Sequence, residues 1–315
     1  MRYRPLGRTG LIVSELGFGA SPLGSVFGAF AEQDGIDAVR TALDLGVNFF
    51  DVSPYYGDTA AETALGRALR GVDRDSYLLA TKVGRYGATE FDFGAERVKR
   101  GVTESLARLG TDHVDLIQCH DIEFGSLDLI VEETLPALRE LQRAGLVRHV
   151  GVTGYPIPAL AHVAARTPVD TVLSYCQHTL LDRRLAAWEG HFATLGTGVI
   201  NASPLSMGAL TWRGAPHWHP GSARLRERCA AAADLCERAG GDLAKLALQF
   251  SVATTGAATT VVGTRSPDHM RRNVQWLAEP IDPGLLAQVE QCLAPVRDQG
   301  WTSGRPANQD PRERS

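Results

Sequence analysis

The sequence has few of the features that mark a secreted, membrane-bound or nucleic-acid-binding protein. Its five cysteines are odd in number and form no CxxC pair, which argues against a complete disulfide framework. No apolar run approaches the roughly 20 residues that span a bilayer, and the first residues lack the apolar core of a signal peptide. The net charge of -4 gives no reason to expect nucleic acid. We therefore expect a cytoplasmic protein with neither a membrane nor a nucleic-acid partner.

Length and composition are those of a globular protein with a sizeable core. The chain has 315 residues, of which 44% are hydrophobic and 22% charged. This length suits either two ordinary domains or one large barrel. No stretch has the composition of an interdomain linker, so a single large domain is favoured.

Strand-like and helix-like segments alternate after a short hairpin predicted over residues 4–13. Strands are predicted at 15–19, 47–51, 77–82, 113–119, 147–152, 171–175, 198–202 and 259–263. Helices are predicted at 34–45, 60–70, 95–109, 128–144, 157–166, 184–195, 222–253 (broken near Gly240 and Gly241), 267–277 and 283–293. Eight strands, each followed by a helix, predict a (β/α)8 TIM barrel with an N-terminal β-hairpin and an extra C-terminal helix.

We predict one barrel domain over residues 1–300 and a polar, partly mobile tail over 301–315. A doubly wound sheet is the rival architecture, because Gly17-Phe18-Gly19 resembles the start of a dinucleotide fingerprint. No helix follows it at once, and Pro22 opposes helix continuation, so the barrel is favoured. The segment 203–221 follows the seventh strand and is expected to lie over the barrel mouth.

Three successive predicted strands end in Asp51, Lys82 and His120, and Tyr56 follows one turn after Asp51. In a barrel of parallel strands these ends converge on one mouth, where active sites lie. A phenol has an ordinary pKa of about 10, and a neighbouring ammonium lowers it. We predict Tyr56 as general acid/base, Lys82 as the group that lowers its pKa, Asp51 as the partner of Lys82, and His120 as the group that orients the reacting oxygen.

Each of these residues alone has an ordinary structural interpretation, and only their joint placement favours catalysis. Tyr55 is an alternative active tyrosine. A metal site is also conceivable, since His120, Asp121 and Glu123 cluster in the sequence. No HExxH or similar ligand spacing accompanies them, so no metal is predicted.

These residues resemble the aldo-keto reductase superfamily over about residues 3–303. The matching motifs are Asp51 to Gly57 as Asp-x-x-x-x-Tyr-Gly, Ala80-Thr81-Lys82-Val83, and Val114-Asp115-Leu116-Ile117-Gln118-Cys119-His120. The resemblance implies a barrel that binds a nicotinamide dinucleotide across its mouth without a Rossmann fold. It also implies hydride transfer between the nicotinamide and a substrate carbon held by Tyr56 and His120.

Longer strings are similar to the L-galactose dehydrogenase subfamily, among them 17–28, 119–127, 173–176, 218–220 and 301–304. This similarity implies oxidation of the anomeric carbon of an L-galactose-type aldose, such as L-galactose or L-fucose, to the lactone. The sugar is then the small-molecule partner. Its candidate hydroxyl partners are Ser25, Asp121, Glu123 and His219, and Phe27 or Trp218 are candidates for stacking on a sugar face. Each could instead cap, solvate or pack a loop.

The resemblance also implies cofactor contacts, with departures from the common pattern. The residues concerned are Gly19, Ala20, Thr153, Tyr175, Ser203, Leu205, Gly263, Thr264, Arg265, Ser266, His269 and Asn273. Gly263 and His269 stand where NADP-using members carry a lysine and an arginine. Since a 2′-phosphate needs cations, NAD is favoured, although Arg265 and Arg272 lie close enough in sequence for NADP to remain possible.

Two other functions stay open at this point. One is a carbonyl reductase for small aldehydes or ketones, and the other is a nucleotide-sensing regulatory subunit. The sequence does not distinguish a monomer from a homodimer.

Overall fold

The computed structural model describes residues 1–26, 28 and 31–310. Its centre is a closed barrel of eight parallel strands in the order β10-β3-β4-β5-β6-β7-β8-β9. The strands are β3 (Leu16–Gly19), β4 (Phe49–Asp51), β5 (Leu78–Val83), β6 (Val114–Cys119), β7 (Val147–Gly154), β8 (Thr171–Tyr175), β9 (Gly198–Ala202) and β10 (Thr259–Gly263). The (β/α)8 prediction is confirmed, and the doubly wound alternative is wrong because the first and last strands pair with each other.

Helices surround the barrel, and their apolar faces pack on the strands. They are α1 (Glu32–Asp44), α2 (Ala60–Leu69), α3 (Ala95–Leu109), α4 (Leu127–Leu129), α5 (Leu135–Arg143), α6 (Ile157–Arg166), α7 (Ala186–Leu195), α8 (Ala223–Arg238), α9 (Leu243–Ala253), α10 (Pro267–Ala278) and α11 (Pro283–Leu293). Because the strands are buried on both faces, their sequences are nearly continuous apolar runs. Helix starts are marked by side-chain caps, as at Asp242, Ser266 and Asp282.

A two-stranded hairpin covers the N-terminal end of the barrel, formed by β1 (Tyr3–Pro5) and β2 (Ile12–Ser14). Leu6 and Val13 are fully buried against residues of the barrel interior. The Arg4 guanidinium donates to the carbonyl oxygen of Ala257 at 2.9 Å, which ties the hairpin to the end of the α9 segment. This end of the barrel is therefore closed by packed side chains.

Several predicted elements differ from the structure by one or two residues, and two of the differences have a clear cause. The strand predicted at 47–51 begins at Phe49, because Asn48 instead exchanges hydrogen bonds with Ser14. The helix predicted over 128–144 contains a π-helical turn, Ile130–Thr134, between α4 and α5. The break predicted near Gly240 and Gly241 is present, and Asp242 starts the second helix.

The C-terminal segment, which we define as residues 301–310, packs against loops at the barrel mouth. Ser303, Asn308 and Trp301 make these contacts, residues 311–315 lie outside the described part, and the predicted partial mobility of the tail stays a prediction. Among the described residues, no helix combines the length and the apolarity that a membrane crossing requires.

Candidate active site at the barrel mouth

The carboxyl ends of β4 and β5 bring Asp51 and Lys82 into a buried ion pair. Lys82 Nζ donates to Asp51 Oδ1 at 2.5 Å and to the carbonyl oxygen of Val52 at 2.9 Å. The lysine side chain is only 1% exposed. A buried ammonium normally loses its proton more easily, but here the Asp51 carboxylate opposes the desolvation and the pKa of Lys82 is raised. Lys82 therefore stays charged at the mouth.

Gln118 holds the second oxygen of Asp51. Its Nε2 donates to Asp51 Oδ2 at 2.9 Å from β6, where Gln118 lies beside Lys82 in the strand register. The sequence analysis did not single out Gln118. The available signal was an amide one residue before Cys119, in a run whose other polar residue, Asp115, lies near the opposite end.

Tyr56 lies in the tight turn that follows β4. Gly57, at φ 63°, lets this turn approach the first barrel loop, since a Cβ there would lie 2.1 Å from the Gly24 carbonyl oxygen. Lys82 Nζ lies 5.0 Å from the Tyr56 ring centroid, close enough for its charge to act on the Tyr56 hydroxyl. Tyr55 instead packs its ring on the Arg85 guanidinium, 3.7 Å away. The geometry thus favours Tyr56 over Tyr55 as the tyrosine coupled to the ammonium.

The pKa of Tyr56 differs from the expectation of an acidified phenol. Burial of the hydroxyl raises the pKa to about 12, and Lys82 only partly offsets this rise. The charges of Asp51 and Asp121 act in the same direction as burial. The prediction that Lys82 lowers the pKa is right in direction, but the net acidification is wrong because desolvation is the larger effect.

His120 follows β6 and faces both Tyr56 and Ser53. Its ring lies edge-on to that of Tyr56, with 5.7 Å between centroids. Ser53 Oγ lies 2.9 Å from His120 Nδ1 and also accepts the N–H of Tyr55 at 3.1 Å. Burial and the charges of Lys82 and Arg85 hold the pKa of His120 well below its usual range. The ring is therefore neutral, and a Ser53 hydroxyl that donates to Nδ1 leaves the hydrogen on Nε2.

Arg85 and Asp121 form a second ion pair beside His120. Arg85 Nη1 donates to Asp121 Oδ2 at 2.5 Å, and the same oxygen lies 3.7 Å from His120 Nε2. Burial raises the pKa of Asp121, and Arg85 opposes that rise. The sequence analysis named Asp121 but missed Arg85, which follows β5 directly after Gly84. Arg85 could have been predicted from its position, because it follows the same strand that carries Lys82.

Glu123 lies one turn beyond His120 and is fully buried. Its Oε1 accepts from the N–H of Tyr155 at 3.1 Å and from Ser303 Oγ at 2.8 Å, while Oε2 has no hydrogen-bond partner among the described residues. A Cβ at Gly154 would lie 2.7 Å from Oε2, so the carboxyl group fills the space that this glycine leaves. Burial, together with the charge of Asp121, raises the pKa of Glu123 to about 8.

The C-terminal segment forms one wall of the mouth. The Trp301 ring stacks on Tyr155 at 4.4 Å and meets His219 edge-on at 5.5 Å. Asn308 Nδ2 donates to the carbonyl oxygens of Glu123 and Gly125, each at 2.9 Å. The segment therefore joins loops that follow β6, β7 and β9.

The residues expected to hold a cofactor surround the ends of β3 and β7 to β10 and the start of α10. Ser266 caps α10 by accepting from the N–H of His269 at 3.3 Å. The positive end of a helix and a nearby loop after the last strands are suited to phosphate, although Pro267 has no N–H and the N–H of His269 is already bound by Ser266. The full expected set is Gly19 and Ala20 after β3, Thr153 and Tyr175 in β7 and β8, Ser203 and Leu205 after β9, and Gly263, Thr264, Arg265, Ser266, His269 and Asn273 around α10.

The remaining substrate candidates differ in their surroundings. Ser25 is exposed after β3, and Phe27 lies outside the described residues. Trp218 is 41% exposed on the segment 203–221. His219 uses both ring nitrogens within that segment, since Nδ1 accepts from the N–H of Gly221 at 2.9 Å and Nε2 lies 3.1 Å from the Ser206 carbonyl oxygen. Its geometry favours a structural role.

A metal site would require several ligands around one point. Within the described ranges, no group of three or more His, Cys, Asp or Glu side chains has that arrangement. The Asp121 carboxylate is instead bound to Arg85.

Sequence comparison adds independent information. Residues 15–294 match the model of the Aldo/keto reductase family. The chain is 47% identical over 313 residues to an L-galactose dehydrogenase from Arabidopsis thaliana, with 96% of this chain and 98% of the relative covered. It is 35% identical over 251 residues to a D-arabinose 1-dehydrogenase from Saccharomyces cerevisiae, with 75% and 74% covered.

Structural comparison agrees with the sequence matches. An aldo-keto reductase from Bacillus halodurans, solved in its holo form, superposes with a TM-score of 0.79 at 28% identity. The alignment covers 98% of this chain and all of that structure.

Proposed function

The chain belongs to the aldo/keto reductase family, and from this membership we propose that it is an NAD-dependent aldose 1-dehydrogenase. Its substrate is an L-galactose-type sugar, which it oxidises at the anomeric carbon to the lactone. The observation that carries the proposal is one buried ammonium, Lys82, paired with the Asp51 carboxylate and placed 5.0 Å from the Tyr56 ring centroid, beside a neutral His120. The names of the two dehydrogenase relatives support the substrate class.

The proposed mechanism uses Tyr56 as the proton acceptor. In its phenolate form Tyr56 Oη accepts the proton of the anomeric hydroxyl, and His120 Nε2–H donates to the same substrate oxygen. The carbon–hydrogen bond at C1 breaks as its hydride leaves, and the ring oxygen supports the positive charge that develops there. When bound, the oxidised nicotinamide supplies the hydride acceptor. Asp51 and Gln118 keep Lys82 charged and in place.

The residues around the mouth are compatible with a nicotinamide dinucleotide. The positive end of the α10 dipole, together with the hydroxyls of Thr264 and Ser266, suits the pyrophosphate. Buried polar atoms without a partner among the described residues, such as Gln177 Nε2 and Asn201 Oδ1, lie at the ends of β8 and β9 and could serve a bound amide or ribose. Tyr175, between them and Tyr155, presents an aromatic ring.

NAD is proposed over NADP because two positions lack cations. Gly263 cannot be replaced by a longer residue without displacing Pro22, whose Cγ would lie 3.1 Å from the new Cβ. His269 is not cationic, since burial and the charges of Arg272 and Arg213 lower its pKa. The same two arginines keep positive charge in this region, so we expect NADP to bind more weakly than NAD but still to bind.

One kinetic panel tests the function. We expect NAD reduction with L-galactose or L-fucose to be much faster than with D-galactose, and faster than the reverse reduction of simple aldehydes. If small aldehydes and ketones are reduced far faster than any aldose is oxidised, the protein is a carbonyl reductase. If the dinucleotide binds tightly but no substrate of either kind turns over, a nucleotide-sensing role replaces the enzymatic one.

A further inference from the structure

Asp121 is held rigidly next to the proposed reacting oxygen. Its backbone has a left-handed conformation, with φ 52°, and its N–H donates to Thr153 Oγ1 at 3.1 Å. The carboxylate is bound to Arg85 and is only 5% exposed. One of its oxygens lies 3.7 Å from His120 Nε2, which is too far for a direct hydrogen bond.

The Arg85 guanidinium lies against three aromatic rings, which fix its position beside Asp121. Its guanidinium carbon lies 3.7 Å from the ring centroid of Tyr55, 5.2 Å from that of Phe91 and 5.4 Å from that of Phe124. The two phenylalanines stack on each other at 4.5 Å. Stacking of this kind fixes the plane of a guanidinium and keeps its N–H groups directed.

The pair retains unused hydrogen-bonding capacity. Arg85 Nε is buried, and its N–H finds no acceptor in the part of the chain that the structure describes. Asp121 has carboxylate lone pairs beyond those that Arg85 occupies. A donor and an acceptor side by side suit a hydroxyl group, which can accept from the guanidinium and donate to the carboxylate.

We propose that Arg85 and Asp121 form a subsite for the hydroxyl on the carbon next to the one that is oxidised. This inference rests on the proposed function. In a gauche vicinal diol the two oxygens lie about one hydrogen-bond length apart. One oxygen can therefore accept from His120 Nε2–H while its neighbour donates to Asp121, which matches the separation of these two groups.

The subsite makes the protein selective for 2-hydroxylated sugars. A substrate without the neighbouring hydroxyl leaves a desolvated ion pair with unused polar atoms, and sites of this kind reject such analogues strongly. A simple aldehyde or ketone gains nothing from the pair. Selection for an aldose over a plain carbonyl compound would then arise at Arg85 and Asp121 rather than at Tyr56, whose chemistry serves both.

The test compares an aldose with its 2-deoxy analogue. We expect the wild-type protein to oxidise L-galactose with a kcat/KM about 100-fold or more above that for 2-deoxy-L-galactose. Asp121→Ala and Arg85→Met should each lower kcat/KM for L-galactose more than for the 2-deoxy sugar, so that the ratio between the two sugars falls about 10- to 100-fold. Asp121→Asn, which keeps the side-chain shape, provides the same comparison if the alanine variant does not fold.

Asp115→Asn is the matched control. Asp115 is a buried aspartate on the same strand as His120, paired with Arg74 and Arg148 at the opposite end of β6. Its substitution should lower stability without changing the ratio between the two sugars.

The outcomes separate the two proposals. If the wild-type protein oxidises L-galactose and its 2-deoxy analogue equally well, or if the variants lose activity on both sugars alike, the subsite is rejected and the proposed function stands. If no aldose is oxidised by the wild type, the proposed function fails, and the subsite fails with it.

Discussion

At the scale of single residues, Lys82 is the position on which both stability and chemistry depend. Lys82→Met leaves the Asp51 carboxylate buried with Gln118 as its remaining side-chain partner. Removal of one member of a buried ion pair costs about 3–5 kcal/mol, because the other charge stays desolvated. We expect the free energy of unfolding, measured in urea, to fall by that amount and kcat to fall strongly as well. The double variant Lys82→Met/Asp51→Leu should recover much of the stability and none of the activity. If the single variant is as stable as the wild type, the pair is not buried as described.

Tyr56→Phe tests the proton acceptor, since it retains the ring beside His120 and removes only the hydroxyl. General acid/base catalysis typically contributes about 10²- to 10⁴-fold, so kcat should fall within that range while the protein stays folded. Tyr55→Phe is the matched control, because the Tyr55 ring contacts Arg85 through its face. Comparable losses from the two variants would contradict the assignment of Tyr56.

The pH dependence of oxidation follows from the raised pKa of Tyr56. Burial places this pKa at about 12, so the phenol is protonated at neutral pH, and the phenolate fraction grows about tenfold with each pH unit below that value. Since phenolate is the acceptor in oxidation, kcat/KM should rise as the pH is raised from about 7 to 10. His120, whose pKa lies well below its usual range, should add no inflection near neutral pH. Initial rates across this range check the slope, and a profile that falls with increasing pH would contradict it.

The structure brings together those predicted residues whose position along a strand was sufficient to place them, and their catalytic roles stay predictions. Asp51, Lys82 and His120 stand at strand ends, so an alternating pattern places them at one mouth. Ser53, Gln118 and Arg85 were not found, because their importance comes from contacts between neighbouring strands and loops. The net pKa of Tyr56 was also beyond sequence reasoning, since it depends on how much desolvation outweighs one ammonium.

At the scale of elements, the C-terminal segment is predicted to control the shape of the mouth. Asn308→Ala removes hydrogen bonds to two carbonyl oxygens, those of Glu123 and Gly125. We expect a loss of about 1–3 kcal/mol in stability, faster hydrogen exchange in residues 121–125 and 301–310, and a larger effect on KM than on kcat. Gln299→Ala, which removes only a local bond to Pro295, is the control. Unchanged exchange in Asn308→Ala would mean that the segment is held mainly by Trp301.

Element boundaries were predictable wherever local signals decided them. The strands at 171–175, 198–202 and 259–263 and the helices at 95–109, 157–166 and 283–293 have the expected limits. The π-helical turn and the late start of β4 depend on packing against other parts of the chain, which periodicity does not report. The contacts of the C-terminal segment have the same origin, because polar residues such as Ser303 and Asn308 bond to distant loops rather than to their neighbours.

At the scale of the whole molecule, the dinucleotide should stabilise the folded barrel. A ligand that binds only the native state, at 100 times its Kd, adds about 2.7 kcal/mol to the free energy of unfolding. We expect NAD to raise Tm more than NADP does at equal concentration, and His269→Arg to reduce or reverse that difference by supplying a cation. Thermal unfolding with each dinucleotide checks both statements. A larger shift with NADP on the wild-type protein would overturn the cofactor preference.

The overall architecture was the most predictable level, because eight repeats of strand and helix leave few alternatives. The prediction of a closed barrel did not depend on the accurate bounds of any single strand. What the pattern could not supply is the arrangement of the loops, which carry Arg85, Glu123 and Trp301.

The hairpin that covers the N-terminal end has a consequence for the order in which reactants bind and leave. Because Leu6 and Val13 close the N-terminal end of the described barrel, we expect both reactants to enter from the mouth. The reactant that lies deeper must then bind first and leave last. Its release, and not the chemical step alone, therefore limits turnover at high concentrations of the second reactant.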